Sequence, residues 1–522
     1  MILLTAEEMQ KADSKAIDLG MPELILMETA GRSVAARAYS LCQERDLEDV
    51  VILVGGGNNG GDGLVAARYL YSWGIEVKCL LKSEPESMTG VNSQNLRLCQ
   101  LSKVPLLQVN ELSPEQLNNM IHRTDLLIDA LLGTGLEGPV RGTAAELIEL
   151  ANNSQAVRLS VDIPSGVNAS TGEVPGVAVR ADITITMQNA KLGQALYPGR
   201  SYCGDLTVTD LGFPAGVYDK ISPRHYRLTD REARELLPPR PETGHKGTFG
   251  SIMIVSGSRR MPGAAVLTAL SALRGGAGLV RLAAPEEVCN AVPASAPEVV
   301  LEPLPTEREG RIDASCVEDL ISKAESVETL ALGPGIGQSD DGEKIVGEIL
   351  KEYKGSLILD ADGLNNLSGL ELLDKFQGEL VLTPHPGEMG RLKDKDPSEI
   401  VNNRVSMARD FARKHGAVLH LKGAASLTAL PAGEIFVNPT GNSGMGTAGS
   451  GDVLTGLISG LVAQGLSGEK AACLAAYIHG RAGDLAAGSE TGYSLTAGDV
   501  LNYIGPAFKS LFEQETSSGK KS

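Results

Sequence analysis

Polar side chains with catalytic potential surround a glycine-rich turn in the first half of the chain. The segment GGGNNGGDG (55–63) follows an apolar run and precedes a helical pattern. Glycines let backbone amides approach a phosphate, and a helix start adds a favourable field. Asp62 is unusual there because a carboxylate repels a diphosphate, so it needs a role in catalysis, cation binding or ribose contact. The structural alternative is a tight turn in which Asp62 caps the helix.

Three more polar residues stand where later apolar strands end: Asp129, Asp162 and Ser165. Their oxygens are hard ligands suited to a cation, although an Asp at a strand end is equally often a helix cap. Lys191 follows another such strand. It could contact a phosphate, move a proton or lie on the surface.

A different set occupies the second half. In GTAGSGDVLTG (446–456) the amides of Gly449 to Gly451 could form an anion hole for a phosphoryl group. Asp452 is then placed to take a proton from a hydroxyl nucleophile, or else it caps the helix. The segment LKGAAS (421–426), after another strand, could bind nucleotide phosphates through Lys422 and backbone amides, although such a segment is more often a purely structural loop. His385 lies in the rigid segment TPHPGE and could contact a substrate or be structural.

Apolar strands alternate with helical patterns along the chain, which indicates an α/β fold with parallel sheets covered on both faces. A stretch rich in proline and charge, 213–245, interrupts the alternation, and the motifs on its two sides differ. We therefore predict two unrelated domains, 1–220 and 221–512, and a disordered polar tail, 513–522.

The N-terminal segment predicts one helix over residues 5–45. Thr5 is followed three residues later by Glu8, the spacing of a capping box. The helix would precede the first apolar strand of the predicted sheet.

Composition narrows the function classes. The 522 residues include 47 Lys and Arg against 65 Asp and Glu, a formal net charge of −18. This charge disfavours nucleic-acid and anionic-membrane partners but allows a pocket for one nucleotide. Seven scattered cysteines without a C-x-x-C pair, no signal-peptide pattern and no long apolar run predict a reduced, cytoplasmic protein. The absence of a Walker A sequence disfavours a P-loop kinase.

Taken together, the motifs of the first half resemble NAD(P)H-hydrate epimerases over roughly residues 1–215. The resemblance rests on GGGNNGGDG, DALLGTG, VDIPSG and a Lys-x-Gly before Pro-Gly. It implies a Rossmann-like three-layer αβα domain that interconverts the R and S forms of hydrated NADH and NADPH (NADHX and NADPHX). Asp162 would be the main acid/base, with Lys191 as a second catalytic candidate.

The same resemblance implies a binding site. A potassium ion would be bound by Asn59, Asp129 and Ser165. The hydrate would be bound by Asn58, Asn59, Gly60, Gly61, Asp62, Gly133, Thr134, Gly135, Leu136, Glu137, Gly138, Pro139 and Asp162.

The second half resembles the ADP/ATP-dependent NAD(P)H-hydrate dehydratases, a branch of the ribokinase-like αβα fold, over about residues 225–510. The motifs are HKGTFG, MPGAA, GPGIG, DADGLN, TPHPGE, LKGAAS and NPTGN followed by GSGD. The resemblance implies phosphorylation of the hydrate by ADP or ATP with Mg²⁺, with Asp452 as catalytic base. The hydrate would contact Ala264 or Ala265, Gly335, His385 and Asp452. The nucleotide would contact Lys422, Gly423, Ala424, Ala425, Ser426 and Gly451.

The leading interpretation is a bifunctional enzyme that repairs hydrated nicotinamide cofactors and forms a homo-oligomer, as the resemblance implies. One alternative is a ribokinase-like kinase for a vitamin precursor or sugar, fused to a binding or scaffold domain. A Rossmann oxidoreductase is a weaker alternative, because the Asn-Asn-Gly-Gly-Asp pattern does not fit it. The sequence leaves open ADP against ATP and NADH hydrate against NADPH hydrate.

Overall fold

The computed structural model describes residues 1–513, so residues 514–522 of the predicted tail lie outside the described residues. The chain divides into two compact units, Ile2–His225 and the part from Tyr226 onward together with Met1. The boundary between the units, after His225, lies a few residues beyond the boundary predicted at residue 220. Within the described part, no helix combines the length and the apolar character that a bilayer crossing requires.

The elements of the N-terminal unit alternate as the sequence predicts. The strands are β1 (Ile2–Leu4), β2 (Asp49–Val54), β3 (Glu76–Leu81), β4 (Leu106–Gln108), β5 (Leu126–Ala130), β6 (Val157–Val161), β7 (Ile183–Met187), β8 (Ala190–Lys191) and β9 (Asp205–Thr209). The helices are α1 (Ala6–Asp18), α2 (Glu23–Arg45), α3 (Asn58–Ser72), α4 (Gly90–Leu101), α5 (Pro114–Arg123), α6 (Thr143–Asn153) and α7 (Leu192–Ala195).

Seven of these strands form one parallel sheet in the order β4-β3-β2-β5-β6-β7-β9. The chain leaves β2 in one direction, towards β3 and β4, and then continues from β5 in the other. Such a reversal opens a crevice at the carboxyl ends of β2 and β5, where ligands bind in open α/β sheets.

Helices cover both faces of this sheet. Val50 and Ile52 of β2 belong to an apolar cluster with α2, α3 and α4, whereas Val51 and Leu53 belong to another with α5 and α6. Successive strand residues point to opposite faces, so an unbroken apolar strand needs helices on both sides. This is the three-layer αβα architecture.

The predicted single helix over residues 5–45 is wrong, because two helices are present. The capping box is confirmed, with the Thr5 amide 2.8 Å from Glu8 Oε2 and the Glu8 amide 3.2 Å from Thr5 Oγ1. The chain then breaks at Gly20, whose φ is +102°, and Pro22 caps the next helix. Glycine readily takes a positive φ, and a residue before proline avoids the helical region, so α1 stops here.

The C-terminal unit repeats the alternation with other elements. The short strand β10 (His225–Tyr226) lies where the units divide. The later strands are β11 (Ser251–Val255), β12 (Leu279–Pro285), β13 (Val300–Leu304), β14 (Thr329–Leu332), β15 (Ser356–Leu359), β16 (Leu380–Leu382), β17 (Val418–Leu421), β18 (Leu427–Ala429) and β19 (Ile435–Val437). The helices are α8 (Asp230–Glu235), α9 (Pro262–Arg274), α10 (Glu286–Ala291), α11 (Val317–Ala324), α12 (Asp340–Glu352), α13 (Asp362–Asn365), α14 (Pro386–Lys393), α15 (Pro397–Asn402), α16 (Arg404–His415), α17 (Ser450–Ala463), α18 (Gly468–Ser489) and α19 (Ala497–Glu513).

The sheet of this unit runs β13-β12-β11-β14-β15-β16-β17-β18-β19. The pairs from β13 to β17 are parallel, and the last three strands pair antiparallel. The strand order again reverses, between β11 and β14. The strand ends from β11 to β17 therefore form one edge, and the predicted site residues Gly335, His385 and Lys422 closely follow three of these ends.

Helix α17 lies very close to α9 because glycines face the neighbouring backbone. A Cβ on Gly456 would lie 2.1 Å from the Thr268 carbonyl oxygen, and one on Gly460 would lie 2.5 Å from that of Ala272. A larger residue at either position would push the helices apart. This contact fixes the start of α17, which carries Asp452.

Candidate active sites

The glycine-rich turn of the N-terminal unit forms the beginning of a helix. Helix α3 starts at Asn58 with Gly57 as its N-cap, so residues 58–61 form its first turn and Asp62 begins the next. A Cβ on Gly60 would lie 2.0 Å from the Gly55 carbonyl oxygen, so only glycine allows this close approach to the end of β2. The packing buries the side chains of Asn59 and Asp62 at the crevice.

The three predicted potassium ligands lie together at the ends of β5 and β6. Ser165 donates two hydrogen bonds to the buried carboxylate of Asp129, from Oγ at 2.6 Å and from its amide at 2.8 Å. Asn59 Nδ2 donates to the Leu132 carbonyl at 2.9 Å, and Ser165 Oγ accepts from the Leu132 amide at 2.9 Å. Leu132 thus links Asn59 to Ser165.

This cluster fits a monovalent cation. Asn59 Oδ1 is buried without a hydrogen-bond partner within residues 1–513. Asp129 is fully buried, and among those residues it forms no ion pair. Burial raises the pKa of Asp129, although hydrogen bonds from Ser165 and Ser160 oppose the rise. An uncompensated carboxylate beside an amide oxygen lacking a partner is the environment in which a cation replaces the missing positive charge.

Asp162 and Lys191, the two predicted catalytic residues of this unit, form an ion pair. Lys191 Nζ contacts Asp162 Oδ1 and also donates to Thr186 Oγ1 at 3.0 Å and to the Met187 carbonyl at 3.2 Å. The Lys191 side chain is completely buried. Asp162 has a φ of +63°, in the left-handed region that non-glycine residues seldom adopt. Such backbone strain is typical of functional positions.

Sequence reasoning missed Asp13, a carboxylate that faces the same centre. It lies on α1 one helical turn from the buried Met9 and Ala16, so it shares their inward face. Within the described residues its carboxylate has no ion pair or hydrogen bond. Burial raises the pKa of Asp13 to about 6, lowered in part by Lys191 and raised further by Asp162.

Asp62 completes the acidic group. Its pKa is raised well above the ordinary value by burial, and then by repulsion from Asp162 and Asp13. A raised pKa favours the protonated form of Asp62, which does not repel a phosphate. Its protonated form can also donate a hydrogen bond.

The predicted substrate loop after β5 is only partly buried. Gly133 lies against Asn59, since a Cβ there would be 3.3 Å from the Asn59 Cβ. Thr134 and Leu136 are half-buried, while the remaining residues of the loop are exposed: Gly135, Glu137, Gly138 and Pro139. The beginning of the loop therefore adjoins the cation cluster, and its later part borders solvent.

The C-terminal unit brings Lys422, Gly451 and Asp452 together at the start of α17. A Cβ on Gly451 would lie 3.0 Å from Lys422 Nζ. That ammonium donates to the fully buried Asp360 at 2.5 Å, and Thr455 Oγ1 donates to the other Asp360 oxygen at 2.6 Å. Asp360 is the first residue of the segment DADGLN (360–365), but it was not predicted as a site residue. In the structure it anchors both Lys422 and α17.

Asp452 is the carboxylate of this site that lacks a counter-charge. In the described part of the chain it has neither an ion pair nor a hydrogen bond. Its pKa is raised to about 6, chiefly by burial and then by repulsion from Asp360 and Asp362, against a lowering by Lys422. A carboxylate with this pKa is ionised at neutral pH and remains basic enough to accept a proton.

The predicted nucleotide segment is the loop of a β-hairpin. Residues Lys422–Ser426 connect β17 to β18, in which Leu421 pairs with Leu427. Gly423 and Ala424 are exposed, whereas Ala425 and Ser426 are buried. The backbone has φ of +128° at Gly423 and +49° at Ala425. Gly423 and Ala424, near the beginning of the loop, are therefore open to solvent.

His385 has a structural role that the sequence analysis allowed. Its Nδ1 accepts hydrogen bonds from the amides of Gly387 at 2.9 Å and Glu388 at 3.3 Å, which caps α14. Nδ1 is thus an acceptor, so in the neutral ring the proton is on Nε2. The side chain is half-exposed, and Nε2 lies 3.4 Å from Glu388 Oε1. A capping histidine can still offer Nε2–H to a ligand.

Ala264 and Ala265 occupy different environments. A Cβ on Gly335 would lie 2.8 Å from the Ala264 Cβ, so Ala264 adjoins the strand-end turn of β14. Ala265 is fully buried in the apolar core. Ala264 is the one beside the predicted site.

No group of three or more His, Cys, Asp or Glu side chains within residues 1–513 is arranged to hold a metal ion. A divalent cation at the C-terminal site would therefore take most ligands from nucleotide phosphates and water, with Asp452 as an available carboxylate. Mg²⁺ is commonly bound in this way, through one or two carboxylates plus phosphates.

Both halves of the chain match known families. A family model described as NAD(P)H-hydrate dehydratase matches residues 252–505, and one described as YjeF-related protein N-terminus matches residues 23–193. Among solved structures, an ADP/ATP-dependent NAD(P)H-hydrate dehydratase from Bacillus subtilis, co-crystallised with ATP/Mg²⁺, is 30% identical. The match covers 55% of this chain and 98% of that one, with a TM-score of 0.49.

Two curated relatives match along their whole length. A bifunctional NAD(P)H-hydrate repair enzyme from Moorella thermoacetica is 38% identical over 521 residues, 98% of each chain. One from Thermofilum pendens is 38% identical over 508 residues, which cover 97% of this chain and 96% of the relative. On this evidence, the chain belongs to the family of bifunctional NAD(P)H-hydrate repair enzymes.

Proposed function

We propose that the two units act in sequence on hydrated NADH and NADPH. The N-terminal unit interconverts the R and S hydrates, and the C-terminal unit converts the S hydrate to the intact reduced cofactor at the expense of a nucleotide. The observation that carries the proposal is the presence of two centres in one chain. One is Asp162 with Lys191, and the other is Lys422, Gly451 and Asp452.

Epimerisation needs only a proton carrier at carbon 6 of the hydrate. That carbon is bonded to the ring nitrogen and to hydroxyl. The nitrogen lone pair expels the hydroxyl, which leaves as water after it gains a proton, and an iminium ion forms. Water adds to the other face and gives its proton to a carboxylate. Asp162, held by Lys191, is the proposed acid/base.

The potassium ion is proposed to be bound by Asn59, Asp129 and Ser165. It would supply the positive charge that the buried Asp129 carboxylate lacks. The hydrate would lie against the start of α3 and the loop after β5. The proposed contacts are Asn58, Asn59, Gly60, Gly61, Asp62, Asp162 and the residues from Gly133 to Pro139.

Dehydration requires a better leaving group than hydroxide. Asp452 takes the proton of the carbon 6 hydroxyl, whose oxygen attacks the terminal phosphorus of ADP or ATP. The nucleotide leaves with one phosphate fewer. Phosphate is then expelled from carbon 6, and water takes a proton from carbon 5, which restores the ring double bond. The amides at Gly451 are placed to stabilise charge on the phosphoryl group.

The proposed ligand contacts in the C-terminal unit are residues that lie at or near the carboxyl ends of its strands. We assign the hydrate to Ala264, Gly335, His385 and Asp452, and the nucleotide to Gly451 and the loop of Lys422, Gly423, Ala424, Ala425 and Ser426. Ala265 is left out because it is fully buried in the core. Mg²⁺, bound through the donor phosphates with Asp452 nearby, would neutralise charge on the transferring group.

We also propose a cellular location and an oligomeric state for the enzyme. A cytoplasmic location agrees with the seven cysteines, which are all buried free thiols. A homo-oligomer is proposed, and light scattering on the purified protein tests it.

The decisive experiment uses pure S hydrate of NADH, Mg²⁺, and ADP or ATP in separate cuvettes. Recovery of the reduced-nicotinamide absorbance, with one phosphate released for each cofactor restored, is expected and identifies the donor. A stable phosphorylated hydrate would instead indicate a small-molecule kinase. No nucleotide consumption would contradict the proposal. Repeating the assay with NADPH hydrate ranks the two substrates.

A further inference from the structure

Arg404, the first residue of α16, contacts the proposed nucleotide loop although it lies outside every motif. Its Nη1 donates to the Ala424 carbonyl at 2.5 Å. A Cβ on Gly423 would lie 3.8 Å from its Nη2. The guanidinium therefore adjoins the two exposed residues at the beginning of the loop.

The charges around this loop are unequally compensated. Lys422 is paired with the fully buried Asp360, so its charge is largely balanced before any ligand arrives. Arg404 forms no ion pair with a carboxylate anywhere in residues 1–513. Burial lowers the pKa of Arg404 to about 10, which still leaves it charged at neutral pH.

A half-buried guanidinium without a carboxylate is costly unless an anion compensates it. Its planar group offers five N–H donors in a fork that matches phosphate oxygens. One of these donors is bonded to the loop carbonyl, which holds the group in place. The nucleotide brings an anion of the required kind to this loop.

We propose that Arg404 binds the phosphate groups of the nucleotide co-substrate. Lys422, which the sequence offers as one possible phosphate ligand, then acts mainly through its pair with Asp360. This inference rests on the proposed function of the C-terminal unit. It adds a specific cation to the Lys422–Ser426 loop.

The test is calorimetric titration of the full-length protein with adenosine, AMP, ADP and ATP. The variants are Arg404→Gln and Arg404→Lys, with Arg413→Gln as a control at the exposed far end of the same helix. Arg404→Gln is expected to weaken ADP and ATP binding by about 10- to 100-fold, the value of a charged hydrogen bond. Arg404→Lys should lose less, because it keeps the charge but not the fork. Adenosine affinity should not change, and Arg413→Gln should match the wild type.

Other outcomes overturn the inference in distinguishable ways. An equal loss for adenosine and ADP would mean that Arg404 only shapes the loop through the Ala424 carbonyl. Unchanged ADP affinity in both Arg404 variants would mean that it plays no part in nucleotide binding. If the wild type bound no nucleotide, the proposed function itself would fail. If Arg404→Gln does not fold, Arg404→Lys still decides, since wild-type affinity there would refute a bidentate phosphate contact.

Discussion

The two units differ in which carboxylate their lysine pairs with, the proposed catalytic one or another. Each has a lysine–carboxylate pair at the carboxyl ends of parallel strands and, near that pair, at least one carboxylate without a partner. In the N-terminal unit the lysine pairs with Asp162, the proposed acid/base, and the carboxylates without a partner in the described residues are Asp13 and Asp62. In the C-terminal unit the lysine pairs with Asp360, and the proposed base Asp452 has no partner.

The difference follows from the proposed reactions. Asp162 passes a proton back and forth, so a fixed ammonium beside it can stabilise whichever step leaves it charged. Asp452 must remove a proton from a neutral alcohol, and a directly paired ammonium would make it a weaker base. Because Lys422 pairs with Asp360, Asp452 has no directly paired ammonium, and its pKa stays raised although Lys422 lowers it in part.

The largest effect is expected from Asp452→Asn. An amide of the same shape cannot accept the hydroxyl proton, so the dehydration rate should fall by about 1,000-fold or more. Epimerisation should be unchanged, because Asp452 belongs to the other unit. Phosphate release with S hydrate and exchange between R and S hydrates measure the two activities. Dehydration within a few-fold of wild type would remove Asp452 from the role of base.

Asp162→Asn tests the other half of the comparison. Catalysed epimerisation should fall by about 100- to 1,000-fold, while dehydration of pure S hydrate should stay at the wild-type rate. Chromatographic separation of the R and S forms over time measures the exchange, after subtraction of the spontaneous rate. If epimerisation persisted, Lys191 or Asp13 would have to carry the proton.

Removing the lysine from either lysine–carboxylate pair should destabilise the unit that contains it. Lys191→Met and Lys422→Met each leave a carboxylate without its ammonium, and each should destabilise its unit by about 3 kcal/mol. Adding Asp360→Asn to Lys422→Met should restore part of that stability, because the buried charge is then gone. Thermal unfolding of the single and double variants tests this. No recovery in the double variant would show that Asp360 is not held as a buried anion.

The pH profile of dehydration should follow the ionisation of Asp452. The pKa of Asp452 is raised to about 6, by burial and by Asp360, and the base must be ionised to act. The dehydration rate should therefore rise as the pH increases through about 6 and level off above it. Initial rates with S hydrate across this range give the profile. A rate independent of pH there would argue against Asp452 as the base.

The smallest effect concerns the stability contributed by Asp13. Its pKa is about 6 in the fold against an ordinary 3.8, so the folded protein holds this proton more tightly than the unfolded chain. The contribution of Asp13 to the free energy of unfolding is therefore greatest below the unfolded pKa of 3.8, and it is lost as the pH rises through about 6. Asp13→Asn removes that loss and should stabilise the protein by about 1–3 kcal/mol at alkaline pH, but not in acid. The test compares the melting temperatures of the wild type and Asp13→Asn at acid and at alkaline pH. An equal change in melting temperature at both pH values would contradict a raised pKa of Asp13 in the fold.

The sequence predicts most of the fold because its signals are local. Unbroken apolar strands ending in glycines indicate parallel sheets, and Asp129, Asp162 and Asp452 are marked by their places at a strand end or a helix start. The break after α1 was missed although Gly20 and Pro22 signal it directly. The start of α3 at Asn58 was also missed, because two glycines in the first turn conceal a helix.

The parts that the sequence could not predict depend on tertiary contacts. Asp13 is more than a hundred residues from Asp162, and only the inward face that it shares with Met9 and Ala16 hints at its burial. Which carboxylate each lysine meets, Asp162 or Asp360, depends on how the strand ends come together. Arg404 precedes its loop by a whole helix and strand, so no spacing pattern links them.

The central claim is that each unit performs one step independently of the other. The most direct measurement starts from pure R hydrate with Mg²⁺, K⁺ and the nucleotide donor, and follows the recovery of reduced-nicotinamide absorbance. Asp162→Asn should recover only at the spontaneous epimerisation rate, and Asp452→Asn should show almost no recovery. A mixture of the two variants should recover R hydrate much faster than either alone, because each supplies the step that the other lacks. A mixture no faster than Asp162→Asn alone would contradict the claim.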